Sequence, residues 1–192
     1  MTARQPHGPI AIRRRRTGAL VILFGISAAA GAWAAEPQGI AQFYGSFAGS
    51  GVVSSRDSSY LGVTIRDLDV TIRPLGQGFE IIWTTVIRRR APDRPKTRRK
   101  SQRMAFVSTG RPDVYRSLNT GDPLSGRPFA WVRLHGKSLF TYVLVVTPDG
   151  AYEMQRYTRT LTRKGMAVQF QRLRDGESVR TVEGHLVRQP RN

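Results

Sequence analysis

The sequence predicts an all-β protein: an antiparallel up-and-down meander that closes into a barrel of eight to nine strands, preceded by an N-terminal signal helix, with a two-layer β-sandwich as the alternative. Three observations carry this reading. From Phe43 onward, β-branched and aromatic runs recur with glycine-containing turns between them, the pattern of hairpins in series. The connections are short, which makes consecutive strands antiparallel neighbours. Helical periodicity is nearly absent, leaving only a turn around Pro37 to Gln42.

The first segment has the three-part layout of a secretory signal. A basic stretch ends in Arg13, Arg14, Arg15 and Arg16, an apolar run follows from Gly18 to Gly31, and Ala32-Trp33-Ala34 fits the A-x-A cleavage rule. Cleavage after Ala34 leaves a domain of 158 residues, 35–192, beginning Ala35-Glu36-Pro37. Positive charge ahead of the apolar run holds that end in the cytoplasm while the rest crosses, so the expected location is the periplasm or the exterior. The alternative is an inner-membrane anchor, because Gly18 to Ala35 spans 18 residues, close to the length of a membrane helix. Four arginines meet a twin-arginine requirement barely; Gly18 and Ala19 after them favour general secretion.

Nine strands are expected next. Phe43 to Val53 is followed by Tyr60 to Arg73, in which Leu68, Val70 and Ile72 alternate with Asp67, Asp69, Thr71 and Arg73, giving one buried and one wet face. Gly76-Gln77-Gly78 turns the chain into Phe79 to Arg90, and Ser101 to Ser108 comes after a basic connection. The remaining five are Phe129 to Leu134, Ser138 to Thr147, Tyr152 to Thr162, Met166 to Arg174 and Ser178 to Val187. Their connections each hold a glycine able to take positive φ, and Asp149-Gly150 and Asp175-Gly176 are tight-hairpin pairs. Closing such a meander on itself removes both of its edges.

The opening Phe43-Tyr44-Gly45-Ser46-Phe47-Ala48-Gly49-Ser50-Gly51, followed by hairpins to the C-terminus, resembles the lipocalin-like or calycin class of small β-barrels. The likeness covers most of residues 35–192 as a layout. Tyr44 precedes Gly45 where true lipocalins carry Gly-x-Trp, so no ligand residues transfer. What the resemblance implies is a barrel able to hold a small hydrophobic ligand.

Composition excludes several kinds of chemistry. The chain has 31 Lys+Arg against 13 Asp+Glu, a net charge of +18, and no cysteine. It therefore has no disulfide framework, thiolate zinc site, cysteine nucleophile or lipid-carrying N-terminal cysteine. Apolar residues at 40% still allow a core. No catalytic residues, metal site or cofactor are expected: His135 and His185 lack partners at metal-ligand spacing, and there is no Gly-x-Ser-x-Gly elbow. The string Gly45, Gly49, Gly51 runs on into Val52-Val53-Ser54, a strand where a phosphate loop needs a lysine and a helix. Those glycines instead permit close strand packing.

Two regions are candidate binding sites for a non-enzymatic protein. Ser138 to Thr147 is apolar on both alternating sets, Leu139, Val143 and Val145 against Phe140, Tyr142, Leu144 and Val146, and so is expected to be buried on both sides. Its neighbour Tyr152 to Thr162 carries polar groups on both faces. Tyr142, Arg156, Tyr157 and Arg159 are the candidate contacts to a small amphiphilic or anionic ligand. The second region is a basic loop at 88–103, with nine Lys/Arg and Asp93 alone against them, which Pro92 and Pro95 are expected to keep out of strand. Arg94, Lys96, Arg98, Arg99 and Lys100 are the candidates there for docking on an anionic lipid or glycan surface of the cell envelope. Nucleic acid is the least favoured partner, since aromatics for base stacking are not interleaved with these charges. Against docking stands the arginine bias of the whole chain, 27 Arg to 4 Lys.

Overall fold

The computed structural model describes residues 39–55, 64–89 and 96–190, all within the compact unit Ala35–Asn192. The expected signal segment, residues 60–63 of the second expected strand and Arg94 lie outside the described residues. A 3-10 turn at Ile40–Phe43 stands where a helical turn was expected. Ten strands follow: β1 Gly45–Ser55, β2 Thr64–Leu75, β3 Gly78–Arg89, β4 Lys96–Ser108, β5 Val114–Ser117, β6 Phe129–His135, β7 Ser138–Val146, β8 Tyr152–Leu161, β9 Gly165–Arg174 and β10 Glu177–Arg188. Each pairs antiparallel with its chain neighbours, and β1 also pairs with β10, with Val53 opposite Val182 and Phe47 opposite Arg188. The meander is a closed barrel, so the sandwich alternative falls.

The strand count corrects the expected eight to nine. The additional strand, β5, is four residues long with exposed Arg116 inside it, too short for a period-2 pattern to stand out. The wall is joined there by three residue pairs on each side. The basic loop is corrected too. β4 begins at Lys96, directly after Pro95, and its ladder with β3 runs without a break from Arg89–Lys96 to Gly78–Val107. Exposed charge does not oppose strand pairing, because alternate side chains point into solvent while the backbone bonds laterally. Arg98, Arg99, Lys100 and Arg103 are therefore strand residues.

Turn chemistry follows the sequence with two exceptions, one of them Asp149-Gly150, expected as a tight-hairpin pair, where only Gly150 takes positive φ and the β7–β8 connection spans five residues, 147–151. Asp175 and Gly176 both take positive φ, 49° and 85°, as a two-residue type I′ hairpin requires. Gly165 serves packing instead, since a Cβ there would lie 2.1 Å from the Leu186 carbonyl oxygen.

One end of the lumen is filled. Inward residues of the strands, among them Phe47, Ile72, Phe79, Phe106, Leu139 and Met166, are almost wholly buried in one cluster. Phe79 stacks on Phe106 at 5.4 Å and meets Tyr115 edge-on at 5.0 Å. The turn Ile40–Phe43 adds buried Phe43 and reaches the β6–β7 connection, where Gln42 Nε2 donates to the Gly136 carbonyl. Arg188 holds that turn by donating to the Tyr44 and Gln42 carbonyls, with its guanidinium over the Phe47 ring.

The expected double-sided burial of β7 is met on one side. Leu139, Thr141 and Val143 are buried, while Phe140, Tyr142 and Leu144 on the outer wall are half-exposed. On the outside of β3, Glu80 is fully covered by Arg73 and Arg103, which both ion-pair with it. The Arg73 hydrogen bond, ahead of the Arg103 interactions, holds its carboxyl below the usual carboxylate range.

Candidate functional site

At the other end the same inward positions change character. Beyond Ile72 and Val70, β2 places Leu68 and then Arg66 on the lumen side; β9 runs Met166, Val168, Phe170, Arg172; β10 runs Leu186, Gly184, Val182, Arg180. The result is a cavity of about 260 Å³ within the barrel mouth. Its walls are apolar at Val53, Leu68, Ile87, Val168 and Val182, and cationic at Arg66, Lys100, Arg159, Arg172 and Arg180. Gly51 and Gly184 are opposite one another on β1 and β10, and the space their missing side chains leave is taken by the Leu68 side chain.

An aromatic partition separates the cavity from the core. Trp83 of β3 reaches across the lumen to Tyr157 of β8, ring centroids 5.2 Å apart, and Tyr157 packs on Phe170 at 4.7 Å. The Trp83 indole donates to Gln102 Oε1 at 2.9 Å. Beneath these rings Arg159 is 3% exposed. Its guanidinium carbon lies 5.4 Å from the Trp83 ring centre and 5.3 Å from that of Tyr157, and Nη1 donates to Thr141 Oγ1 at 3.1 Å. Among the described residues no carboxylate pairs with it. Burial pushes its pKa down to about 10, against a smaller opposing effect from Tyr157. Burial likewise pushes the Tyr157 hydroxyl up to about 12, offset in part by Arg159 and Arg180.

Toward the mouth, a polar relay runs along the inner side of β8. The Tyr157 hydroxyl donates to Gln155 Oε1, Gln155 Nε2 donates to Glu153 Oε1, and Glu153 Oε2 pairs with Arg172 Nε at 3.1 Å. Glu153 thus compensates Arg172, while the buried Nε of Arg180 has no hydrogen-bond partner among the described residues. A buried guanidinium held by one hydroxyl and two ring faces, beside a second with an unsatisfied N–H, is an arrangement that an anion would complete.

The candidate ligand contacts divide. Tyr157 and Arg159 face the lumen and meet. Tyr142 and Arg156 are a cross-strand pair on the outer wall, where Arg156 donates to Gln171, so neither touches the cavity. Alternation decides this: even-numbered positions on β7 and β8 point out, and Arg156 cannot share a face with Arg159. The basic group also divides. Arg98 and Arg99 are exposed and Arg99 lies 3.5 Å from Asp69, whereas Lys100 lines the cavity mouth. Lys96 opens β4, paired with Arg89. Arg66, Trp83, Phe170, Arg172 and Arg180 are site residues the sequence reading did not single out. The available signal was an arginine in phase with an apolar alternation, as in Arg66-x-Leu68-x-Val70 and Arg180-x-Val182. Among the described residues no group of His, Asp or Glu is arranged to hold a metal ion.

The closed meander makes the domain an up-and-down antiparallel β-barrel with an interior cavity, the layout that the N-terminal resemblance implied. No protein-family profile matches the sequence and no curated protein is detectably related to it. Among solved structures, the S-type phycobiliprotein lyase CPES from Guillardia theta is similar at 8% identity and a TM-score of 0.33, over 78% of this chain and 89% of that one.

Proposed function

We propose that the barrel is an exported, non-enzymatic carrier whose lumen binds a small anionic amphiphile. The observation that carries this is Arg159, a buried cation without a carboxylate partner at the floor of a cavity. Taking a guanidinium out of water is costly unless a charge or several hydrogen bonds compensate it. An acidic headgroup supplies that compensation, and the apolar and aromatic walls receive the remainder of the ligand. Arg180 and Lys100 lie on the way in and favour the same sign of charge. Export is supported by the basic, apolar and Ala32-Trp33-Ala34 segments in series; N-terminal sequencing of the envelope-located protein is expected to start at Ala35, and retention of Arg13 to Arg16 would mean the anchored alternative.

Octyl phosphate and its neutral counterpart octanol test the lumen. Calorimetric titration of the full chain is expected to show the phosphate binding and octanol binding at least about tenfold more weakly, the loss of one charged hydrogen bond. Arg159→Gln and Arg180→Gln are each expected to weaken the phosphate by a similar factor. Equal binding of the two probes, or none of either, defeats the proposal.

A further inference from the structure

The outer wall over β6, β7 and β8 has a composition of its own. Cross-strand rows place Arg116, Trp131, Tyr142 and Arg156 side by side from β5 to β8. A neighbouring row holds Arg133 beside Phe140, and another runs Phe129, Leu144, Met154, Leu173. Trp131 and Tyr142 stack at 4.9 Å with planes 17° apart, and Phe129 and Phe140 extend the ladder at either side. Trp131, Phe140 and Tyr142 are half-buried, and Phe129 is 37% exposed. The 3-10 turn Pro123–Ser125 packs against β7 and presents Leu124, 81% exposed.

Contiguous exposed apolar surface of this kind marks an interaction site, and charge selects the occupant. The outward positions of β5 to β9 hold Arg116, Arg133 and Arg156 and, among the described residues, no Asp or Glu. None of the three arginines has an ion pair among those residues. A second copy docked on this face through a twofold axis would set arginine against arginine, on a chain already carrying +13 over residues 35–192. An anionic lipid surface meets both requirements: Trp and Tyr rings seat at headgroup level, and guanidinium groups bind phosphate.

We infer that this outer wall docks the protein on an anionic phospholipid surface, with the aromatic ladder entering the headgroup layer and Arg116, Arg133 and Arg156 on lipid phosphates. The inference is independent of the lumen reading, since no residue of the ladder lines the cavity.

The chain has three tryptophans, so Trp33→Phe with Trp83→Phe leaves Trp131 as the sole reporter in the full protein. Vesicles of phosphatidylcholine with phosphatidylglycerol, carrying brominated acyl chains, are expected to quench Trp131, and vesicles of phosphatidylcholine alone are not. Arg116→Gln, Arg133→Gln and Arg156→Gln together are expected to weaken the quenching-detected binding about a hundredfold, at roughly fivefold per charge. Circular dichroism and the urea midpoint check that this exposed-site variant is folded, and because no residue of the ladder lines the cavity the Trp131 result is readable whether or not the lumen binds octyl phosphate. Three results overturn the inference: vesicle-bound protein with Trp131 unquenched, as attachment through 18–31 or through β4 would give; equal quenching by neutral vesicles; or a concentration-dependent Trp131 shift without vesicles, the sign of a second copy.

Discussion

The two ends of the lumen are built from the same strands at the same alternating positions, yet one is a packed core and the other a cation-lined cavity. On β3 the inward side chains Phe79 and Ile81 belong to the core, and Trp83 is the boundary. On β9 Met166 is core, whereas Phe170 and Arg172 line the cavity. The difference teaches that strand alternation assigns a residue to the inside without saying what the inside is. At the filled end, inward side chains from all around the barrel meet and exclude water, and burial stabilises. At the mouth they do not meet, so long cationic side chains keep their heads near solvent while their stems line the walls. Arg159 is the exception, a buried cation at the cavity floor among the partition rings, and a guanidinium buried without a carboxylate partner is costly.

This contrast is sharpest under mutation of the core. Phe79→Ala removes a fully buried ring from the filled end and is expected to cost about 3–5 kcal/mol, read as a lowered urea midpoint, while the folded fraction binds octyl phosphate as the wild type does. A loss of affinity with the stability unchanged would erase the distinction between the ends.

The reverse pattern is expected of Arg159→Met. Replacing a buried, uncompensated cation with an apolar side chain of similar length is expected to leave the empty barrel as stable or more stable, by about 1–2 kcal/mol, with anion binding lost. Strong destabilisation would instead make Arg159 a structural residue.

Alkaline titration probes the partition itself. The Tyr157 hydroxyl, pushed up to about 12 in the folded protein, ionises near 10 when unfolded. The unfolded state therefore releases this proton first, and the tyrosine contributes a loss of stability as pH rises from 10 toward 12. Arg159, lowered to about 10 from 12.5, releases its proton first in the folded state and contributes in the opposite direction over the same window. Tyr157→Phe removes the tyrosine part together with the smaller effect of Tyr157 on Arg159, and the variant is expected to gain on the wild type by about 1 kcal/mol between pH 8 and pH 11. Parallel curves would mean the Tyr157 hydroxyl is solvated, and the partition open.

The smallest effect is expected outside the lumen. Glu80 carries a lowered pKa, so its contribution is fully present above its unfolded value of about 4.5 and is lost as pH falls through the folded one. Glu80→Gln is expected to lie below wild type at pH 7 and to converge with it in urea unfolding as pH falls through the lowered folded value. A constant offset would assign the effect to packing instead of charge.

Much of the architecture was legible locally. The hairpins of β6 to β10 follow from period-2 runs separated by glycine turns, and Asp175-Gly176 adopts the backbone that its chemistry favours. β5 was not legible, because four residues around an arginine give no pattern and its pairing depends on Phe106, Ser117 and Trp131 being brought together by the closed wall. Of the four ligand candidates, Tyr157 and Arg159 share the cavity side, and strand parity alone would have separated them from Arg156. Placing Tyr142 outside needed one further step, the register of β7 against β8, which pairs it with Arg156.

What the sequence by itself determined is the existence of every strand but β5, their antiparallel order and the alternation along each, since these rest on backbone preference and on residues close in the chain. What only the tertiary structure decided is which inward residues meet. The contact of Trp83 with Tyr157 joins strands on opposite sides of the barrel, and the convergence of Arg66, Arg172 and Arg180 joins β2, β9 and β10. Such contacts depend on closure, register and tilt around the whole wall, quantities that no local stretch encodes, and the cavity that they define exists only once β1 has paired with β10.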